Sequence, residues 1–259
     1  MPDQLYEHPR LAAIYDALDP DRRDLDPYLS MARNLPARAV ADLGCGTGVL
    51  ALKLAGFGLD VTGVDPAGGS LRVARDKPGA ENVRWIHGDA SALPSAFADL
   101  VLMTGNAVQA VTSGRDWAAL LTAVHRALLP GGRFVFETRD PDRRSWETWT
   151  KDSTLRISAL QGGGEVESWV ELTDVSLPLV SFRWTWIFSS EGQRLTSDST
   201  IQRLTSDSTI RFRSADEVQH ALKSAGFQVE GIRDAPDRPG AELVFVATRH
   251  GRGHGEANG

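Results

Sequence analysis

Three carboxylates and a run of alternating glycines carry the chemistry in this chain. Asp42 is followed by Gly44, Gly46 and Gly48, with Cys45 between the first two, in Val40-Ala41-Asp42-Leu43-Gly44-Cys45-Gly46-Thr47-Gly48. Glycine lets the backbone turn through positive φ and lets another molecule approach it closely. The residues that follow, Val49-Leu50-Ala51-Leu52-Lys53-Leu54-Ala55, have a helical pattern, so the loop ends on free N–H groups and the positive end of a helix dipole. Asp65 closes a second apolar stretch, Asp60–Asp65, and a carboxylate there can accept two hydrogen bonds from a diol. Asp89, with Ala90 behind it, closes a third stretch over residues 83–90. To aim these groups at one ligand, the chain must supply parallel strands that end together. Residues 99–106 read as a fourth strand, and 128–137 as a helix end, a Pro-Gly-Gly turn and a fifth strand.

Two ligands compete for such a loop. Gly46-x-Gly48-x-x-Ala51, with Asp65 at a plausible distance, satisfies a dinucleotide fingerprint. Asp42 argues the other way, because a carboxylate beside the glycines repels a pyrophosphate and favours a ligand carrying an ammonium and a sulfonium. The run D-L-G-C-G-T-G resembles motif I of the class I S-adenosylmethionine-dependent methyltransferases. The resemblance to a bacterial, small-molecule branch of that family extends along the chain. It includes Tyr15-Asp16, T-G-x-x-x-Q from Thr104 to Gln109 and F-E-T-R-D-P from Phe136 to Pro141. Trp146-x-x-Trp149, S-T-I-R-F-R-S ending at Ser214, A-G-F at 225–227 and V-F-V-A-T-R at 244–249 complete it.

The resemblance implies an α/β fold: a Rossmann-like methyltransferase sheet with helices on both faces and an antiparallel, β-rich insertion after the fifth strand. It implies S-adenosylmethionine as cofactor, held by Asp42, Gly44, Cys45, Gly46, Gly48, Asp65, Pro66, Asp89, Ala90, Thr104, Gly105, Asn106 and Tyr15. Asp65 would take the ribose hydroxyls and Asp89 the adenine amino group, with Tyr15 closing over the methionine end. Members of this branch often carry His where this chain has Asn106, and a base is lost if that position touches substrate. An N-P-P-Y-like signature of base amino-group methylation is absent, since the matching run is Thr104-Gly105-Asn106-Ala107.

The elements group into parts. Residues 1–38 form an N-terminal helical cap, with helical patterns at 11–18 and 27–34. The cofactor-binding core is 39–139 plus 211–250, alternating strand and helix as a parallel sheet with right-handed crossovers requires. Residues 140–210 are a β-rich insertion, with period-two alternation at 166–172 and 182–188. A late helix spans 214–225, with Ser214 as N-cap, Glu217 at capping-box spacing and Gly226 as its stop. Strands follow at 227–232 and 242–248, and the glycine-rich tail 251–259 is expected to be disordered.

Gln193-Arg194-Leu195-Thr196-Ser197-Asp198-Ser199-Thr200-Ile201 recurs unchanged at 202–210. Nine is odd, so in one continuous strand the two copies would present opposite faces. One copy is therefore expected to pair in a sheet and the other to form a loop or hairpin extension.

Composition fits a globular enzyme: 259 residues, 41% hydrophobic, with no apolar run near the roughly 18 residues a membrane helix needs. A single cysteine excludes an internal disulfide and a cysteine-cluster metal site, and no metal is expected. With no secretory signal, these features point to the cytoplasm. A net charge of −6 argues against sequence-independent nucleic-acid binding. Arg139 to Arg144 alternates with Asp140 and Asp142 and reads as a solvated face. None of the six histidines stands out as a catalytic base.

Five of the seven tryptophans (Trp146, Trp149, Trp169, Trp184 and Trp186) fall in the insertion. One reading makes it a lid whose Arg139, Trp146 and Trp149 line a substrate; the other makes the rings its own core or an interface. The activity expected is methyl transfer to O or N, rather than C, of a small molecule by in-line displacement. The enzyme would act mainly by positioning. A cofactor-binding protein without catalysis and an NAD-dependent oxidoreductase are the alternatives. The acceptor and the oligomeric state stay open.

Overall fold

In the computed structural model of this chain, residues 2–160, 163–189, 202–235 and 238–250 are described. Seven strands form the central sheet: β1 (Ala39–Leu43), β2 (Asp60–Asp65), β3 (Val83–His87), β4 (Ala98–Met103), β5 (Leu128–Arg139), β10 (Phe227–Asp234) and β11 (Glu242–Arg249). Their order is β10-β11-β5-β4-β1-β2-β3. Pairings from β3 through β5 are parallel, whereas β11 runs antiparallel to both β5 and β10. The β1, β2 and β4 strands all end on one edge, which brings Asp42, Asp65 and the turn after Met103 to the same end of the sheet.

Both faces of this sheet are buried, as near-continuous apolar strands require. On one face Ala41, Leu43, Val101, Phe134, Phe136 and Phe245 pack against α6 (Gly114–Ala127) and α8 (Ala215–Ser224). On the other, Val40, Val61, Leu100, Leu102, Val135 and Val244 meet α3 (Asp26–Asn34) and α4 (Val49–Gly56). Helix α5 (Gly68–Arg75) follows β2. Ser214 caps α8 by accepting from the Glu217 backbone N–H, as expected, while the Glu217 carboxylate is bonded to Arg211. The sixth helix stops at Ala127, so Leu128 belongs to β5 and pairs with Ala98.

After β5 a short helix α7 (Lys151–Thr154) leads into a second, antiparallel sheet. Its strands are β6 (Arg156–Ala159), β7 (Glu165–Ser176), β8 (Leu179–Ser189) and β9 (Gln202–Arg211), in that order. The repeat is thus resolved for its second copy, which is β9 and pairs along β8. The first copy and the tail lie outside the described residues. Four residues near the start, Gln4–Glu7, form a helix α1 that the sequence pattern does not show, ahead of α2 (Pro9–Leu18). Leu5 and Leu11 from these helices share a core with Val166, Trp186 and Phe188, so the N-terminal segment packs on the second sheet. Among the described residues no helix is long and apolar enough to cross a membrane.

Candidate cofactor and acceptor site

The glycine loop leaves β1 with Gly44, Gly46 and Gly48 all at positive φ. Their surroundings differ. A Cβ at Gly46 would meet nothing within 4 Å, so the backbone there is open to a ligand. A Cβ at Gly48 would lie 2.5 Å from the Trp85 ring and 2.9 Å from Ala74, so this glycine lets α4 pack close to β3 and α5. Cys45 is buried, with its sulfur turned toward Gly63 on β2; burial, then Asp42 and Asp65, push its thiol pKa up. Only the backbone of Cys45 belongs to the loop, where its N–H bonds the Val64 carbonyl.

Asp65 holds the loop in shape. Its Oδ2 accepts from Gly46 N and its Oδ1 from Ala67 N, both at 2.7 Å. Each oxygen keeps a further lone pair for a hydroxyl donor. Burial raises its pKa against the pull of those two N–H groups. Asp42 lies beneath the loop at 1% exposure and accepts from the Ala51 backbone N–H, one of the orphan donors of the α4 N-terminus. Its Oδ2 is buried and unpartnered. Burial, then the negative Asp65, raise the Asp42 pKa from 3.8 to about 7. Asp89 is exposed and caps the turn behind β3 by accepting from Ser91 N at 2.8 Å, with Ala90 buried next to it. Pro66 is exposed, and its carbonyl bonds His87 Nε2 at 2.9 Å.

The turn after β4 is held from below by a carboxylate that the sequence reading missed. Glu137, 3% exposed on β5, accepts from Gly105 N at 2.5 Å and Asn106 N at 3.3 Å with Oε1, and from the Tyr28 hydroxyl with Oε2. Gly105 faces open space, like Gly46, and Thr104 is half-buried. The Asn106 side chain is buried and donates to Glu242 at 2.6 Å. The Asn106 side chain, expected at the cofactor, is therefore committed to the protein interior. These contacts join residues 31 to 136 positions apart, so nothing local announces them.

Above the loop, α2 is tied down by Asp16, which accepts from the Thr47 hydroxyl at 2.6 Å and pairs with Lys77. This places Tyr15, half-buried, 5.8 Å from the ring of Tyr6. Tyr6 is 37% accessible, yet the neighbouring Tyr15, then burial, Asp3 and Asp65, raise its phenol pKa, while Arg139 lowers it. Tyr6 thus stands within electrostatic reach of both Asp65 and Arg139. A hollow of about 830 Å³ opens at the α2–α3 turn, with Asp19, Asp24, Asp26, Arg156 and Arg238 on its walls. Asp19 on its rim also acts on Tyr15.

Of the expected substrate residues, Trp146 is 3% exposed in a core with Val180, Ile210 and Phe212. That burial follows the reading of the rings as the insertion's own core. Trp149 is half-buried, 4.9 Å from Phe182 and beside the Arg139 guanidinium. Arg139 corrects the solvated-face reading of 139–144: it is half-buried, whereas Asp142, Arg143 and Arg144 are exposed. Its position on the inner face at the end of β5 turns it inward.

Residues 40–132 match a methyltransferase domain family. The chain is 36% identical over 116 residues to the cypemycin N-terminal methyltransferase of a Streptomyces species, covering 44% of this chain and 47% of that protein. It is 32% identical over 130 residues to the malonyl-[acyl-carrier protein] O-methyltransferase of Serratia marcescens, covering 50% of this chain and 49% of that one. The chain thus spans less than half the length of these relatives. Among solved structures, an S-adenosylmethionine-dependent methyltransferase from Clostridium acetobutylicum superposes with TM-score 0.72 at 19% identity, covering 94% of this chain and 99% of that one. An amino pentose methyltransferase from Micromonospora echinaspora, solved with S-adenosylmethionine, gives 0.69 at 20% identity over 92% and 95%. The chain has the fold of S-adenosylmethionine-dependent methyltransferases, and its residues 40–132 match a methyltransferase domain.

Proposed function

We propose that this protein transfers a methyl group from S-adenosylmethionine to an oxygen or nitrogen of a small molecule. The observation that carries the cofactor side is Asp65: it braces the glycine loop through Gly46 N–H, keeps lone pairs for a ribose diol, and stands beside a backbone left open at Gly46. The orphaned, buried Oδ2 of Asp42 fits a cationic group and disfavours a pyrophosphate. In this reading Asp65 holds the ribose, Asp89 and the Ala90 backbone the adenine, and Tyr15 the methionine end. Gly44, Gly46, Thr104 and Gly105 line the path between them.

When bound, S-adenosylmethionine supplies a methyl carbon already activated by its sulfonium. The chain supplies geometry. Glu137 fixes the turn at Gly105 and Asn106, and the Asp16–Thr47 bond fixes α2, with Tyr15 on it, over the loop. The proteins it resembles include an N-terminal methyltransferase, an O-methyltransferase of a carrier-linked malonyl group and an amino pentose methyltransferase, which supports an oxygen or nitrogen acceptor.

Calorimetry with S-adenosylhomocysteine, NAD and NADP tests the cofactor, and transfer of labelled methyl to a panel of amines and hydroxy compounds tests the reaction. Binding of the thioether alone, lost in Asp65→Ala, is expected. Binding of a nicotinamide cofactor instead would overturn the reading. Thioether binding with no labelled product from the panel would turn it toward a non-catalytic binding protein.

A further inference from the structure

Arg139, the last residue of β5, stands directly opposite Glu242 in the antiparallel register with β11. Opposite charges at such positions are within reach of an ion pair. They do not form one. Glu242 Oε1 accepts from Asn106 Nδ2 at 2.6 Å and from Arg238 Nη1 at 2.9 Å. Arg139 Nη1 donates instead to the neutral Gln109 amide oxygen at 2.8 Å, and Gln109 is anchored in turn on the Arg211 carbonyl.

One amide oxygen uses one of the five guanidinium N–H groups. Among the described residues no carboxylate lies within ion-pair distance of Arg139, although burial works against its charge. The guanidinium carbon sits 5.6 Å from the centre of the Trp149 ring, and its charge is felt by Tyr6. A cation held by packing and an amide, with its fork of donors left free, is matched in shape and charge to a planar or tetrahedral oxyanion.

We propose that Arg139 receives an oxyanion, carboxylate or phosphate, on an acceptor whose flat or apolar body rests against Tyr6, Tyr15 and Trp149. This rests on the reading of the protein as a methyltransferase whose acceptor lies beside Trp149 and Arg139. Gln109 is the positioning residue that aims the guanidinium, while Glu242, its Oε1 engaged by Asn106 and Arg238, acts on Arg139 through space without a direct bond.

The test uses phenylacetate, phenyl phosphate and the neutral phenylacetamide as probes, followed by ligand-observed NMR. Wild type, Arg139→Gln and Arg139→Lys are compared, each with and without saturating S-adenosylhomocysteine. At least one anion is expected to bind wild type about tenfold or more tighter than the amide. Arg139→Gln loses that preference and Arg139→Lys keeps part of it. Which anion binds separates a carboxylate from a phosphate acceptor. Equal binding of anions and amide, no anion binding at millimolar concentration, or an anion preference unchanged in Arg139→Gln would each overturn the proposal. Thioether affinity unchanged across the three proteins shows that the fold and cofactor site are intact. If the thioether fails to bind wild type, the cofactor reading fails, and the measurements without it still decide the role of Arg139.

Discussion

Cofactor binding to this protein is expected to release a proton from Asp42. The carboxyl has one oxygen on the Ala51 N–H and one buried without a partner, and its pKa lies at about 7. One unit below that value about a tenth of cofactor-free molecules carry the charged form; at that value about half do, and one unit above about nine-tenths. A ligand bearing an ammonium and a sulfonium selects the charged form. Its affinity should therefore rise about fivefold over the unit below the Asp42 pKa and about twofold over the unit above. Calorimetry at neutral pH, in two buffers of different ionisation enthalpy, should register about half a proton released per cofactor. The amino group of the cofactor titrates too, so the comparison is with Asp42→Asn, which removes the Asp42 share and leaves the rest. An identical pH profile and proton count in the two proteins would refute the argument. The same shift acts on the cofactor-free fold. A carboxyl whose folded pKa exceeds its unfolded value holds its proton more tightly when folded. Its stabilising contribution is thus complete below 3.8, falls as pH rises from there to about 7, and stays lost above.

Two further substitutions probe the frame around the site. Gly69→Ala places a methyl group over the Glu7 carbonyl oxygen and 2.9 Å from that of Tyr6, where the N-terminal segment crosses α5. A cost of about 1–3 kcal/mol is expected, read as faster amide exchange at residues 4–8 and weaker thioether binding; unchanged exchange there would count against the docking. Tyr28→Phe removes one of three donors to the buried Glu137 carboxylate and should lower stability to urea by about 1–3 kcal/mol. An unmoved unfolding midpoint would mean that Glu137 does not depend on that hydroxyl.

The parts legible in the sequence are those whose cause is local. The strand-loop-helix run from Val40 to Ala55, the placement of Asp65 at a strand end and the Ser214 cap each depend on residues a few positions apart. So does the period-two pattern of β7 and β8. Glu137, Tyr28 and Glu242 escaped notice because their partners are brought together only when β11 pairs antiparallel with β5 and α3 crosses the sheet. Helix α1 has four residues and little propensity of its own; Leu5 is held by the Ser206 hydroxyl and the core of the second sheet. Aromatic content could mark the insertion but could not say which rings face inward. Trp146 went to the insertion's core, while Trp149 sits at the Arg139 side, a distinction set by side-chain direction on a fold not yet built.

The paired copy of the nonapeptide carries a redundancy of its own. Leu204, Ser206, Ser208 and Ile210 are the residues of β9 that meet the inner face of the second sheet. Leu195, Ser197, Ser199 and Ile201 repeat them nine positions earlier. A slip by one repeat would offer β8 the same nine side chains in the same order, but would set Gln202 where Arg211 pairs with Leu179 and lengthen the connection to α8, a cost that grows slowly with length. The sequence thus holds two equal candidates for the nine residues that pair with β8, and a substitution confined to one copy would leave the other as encoded.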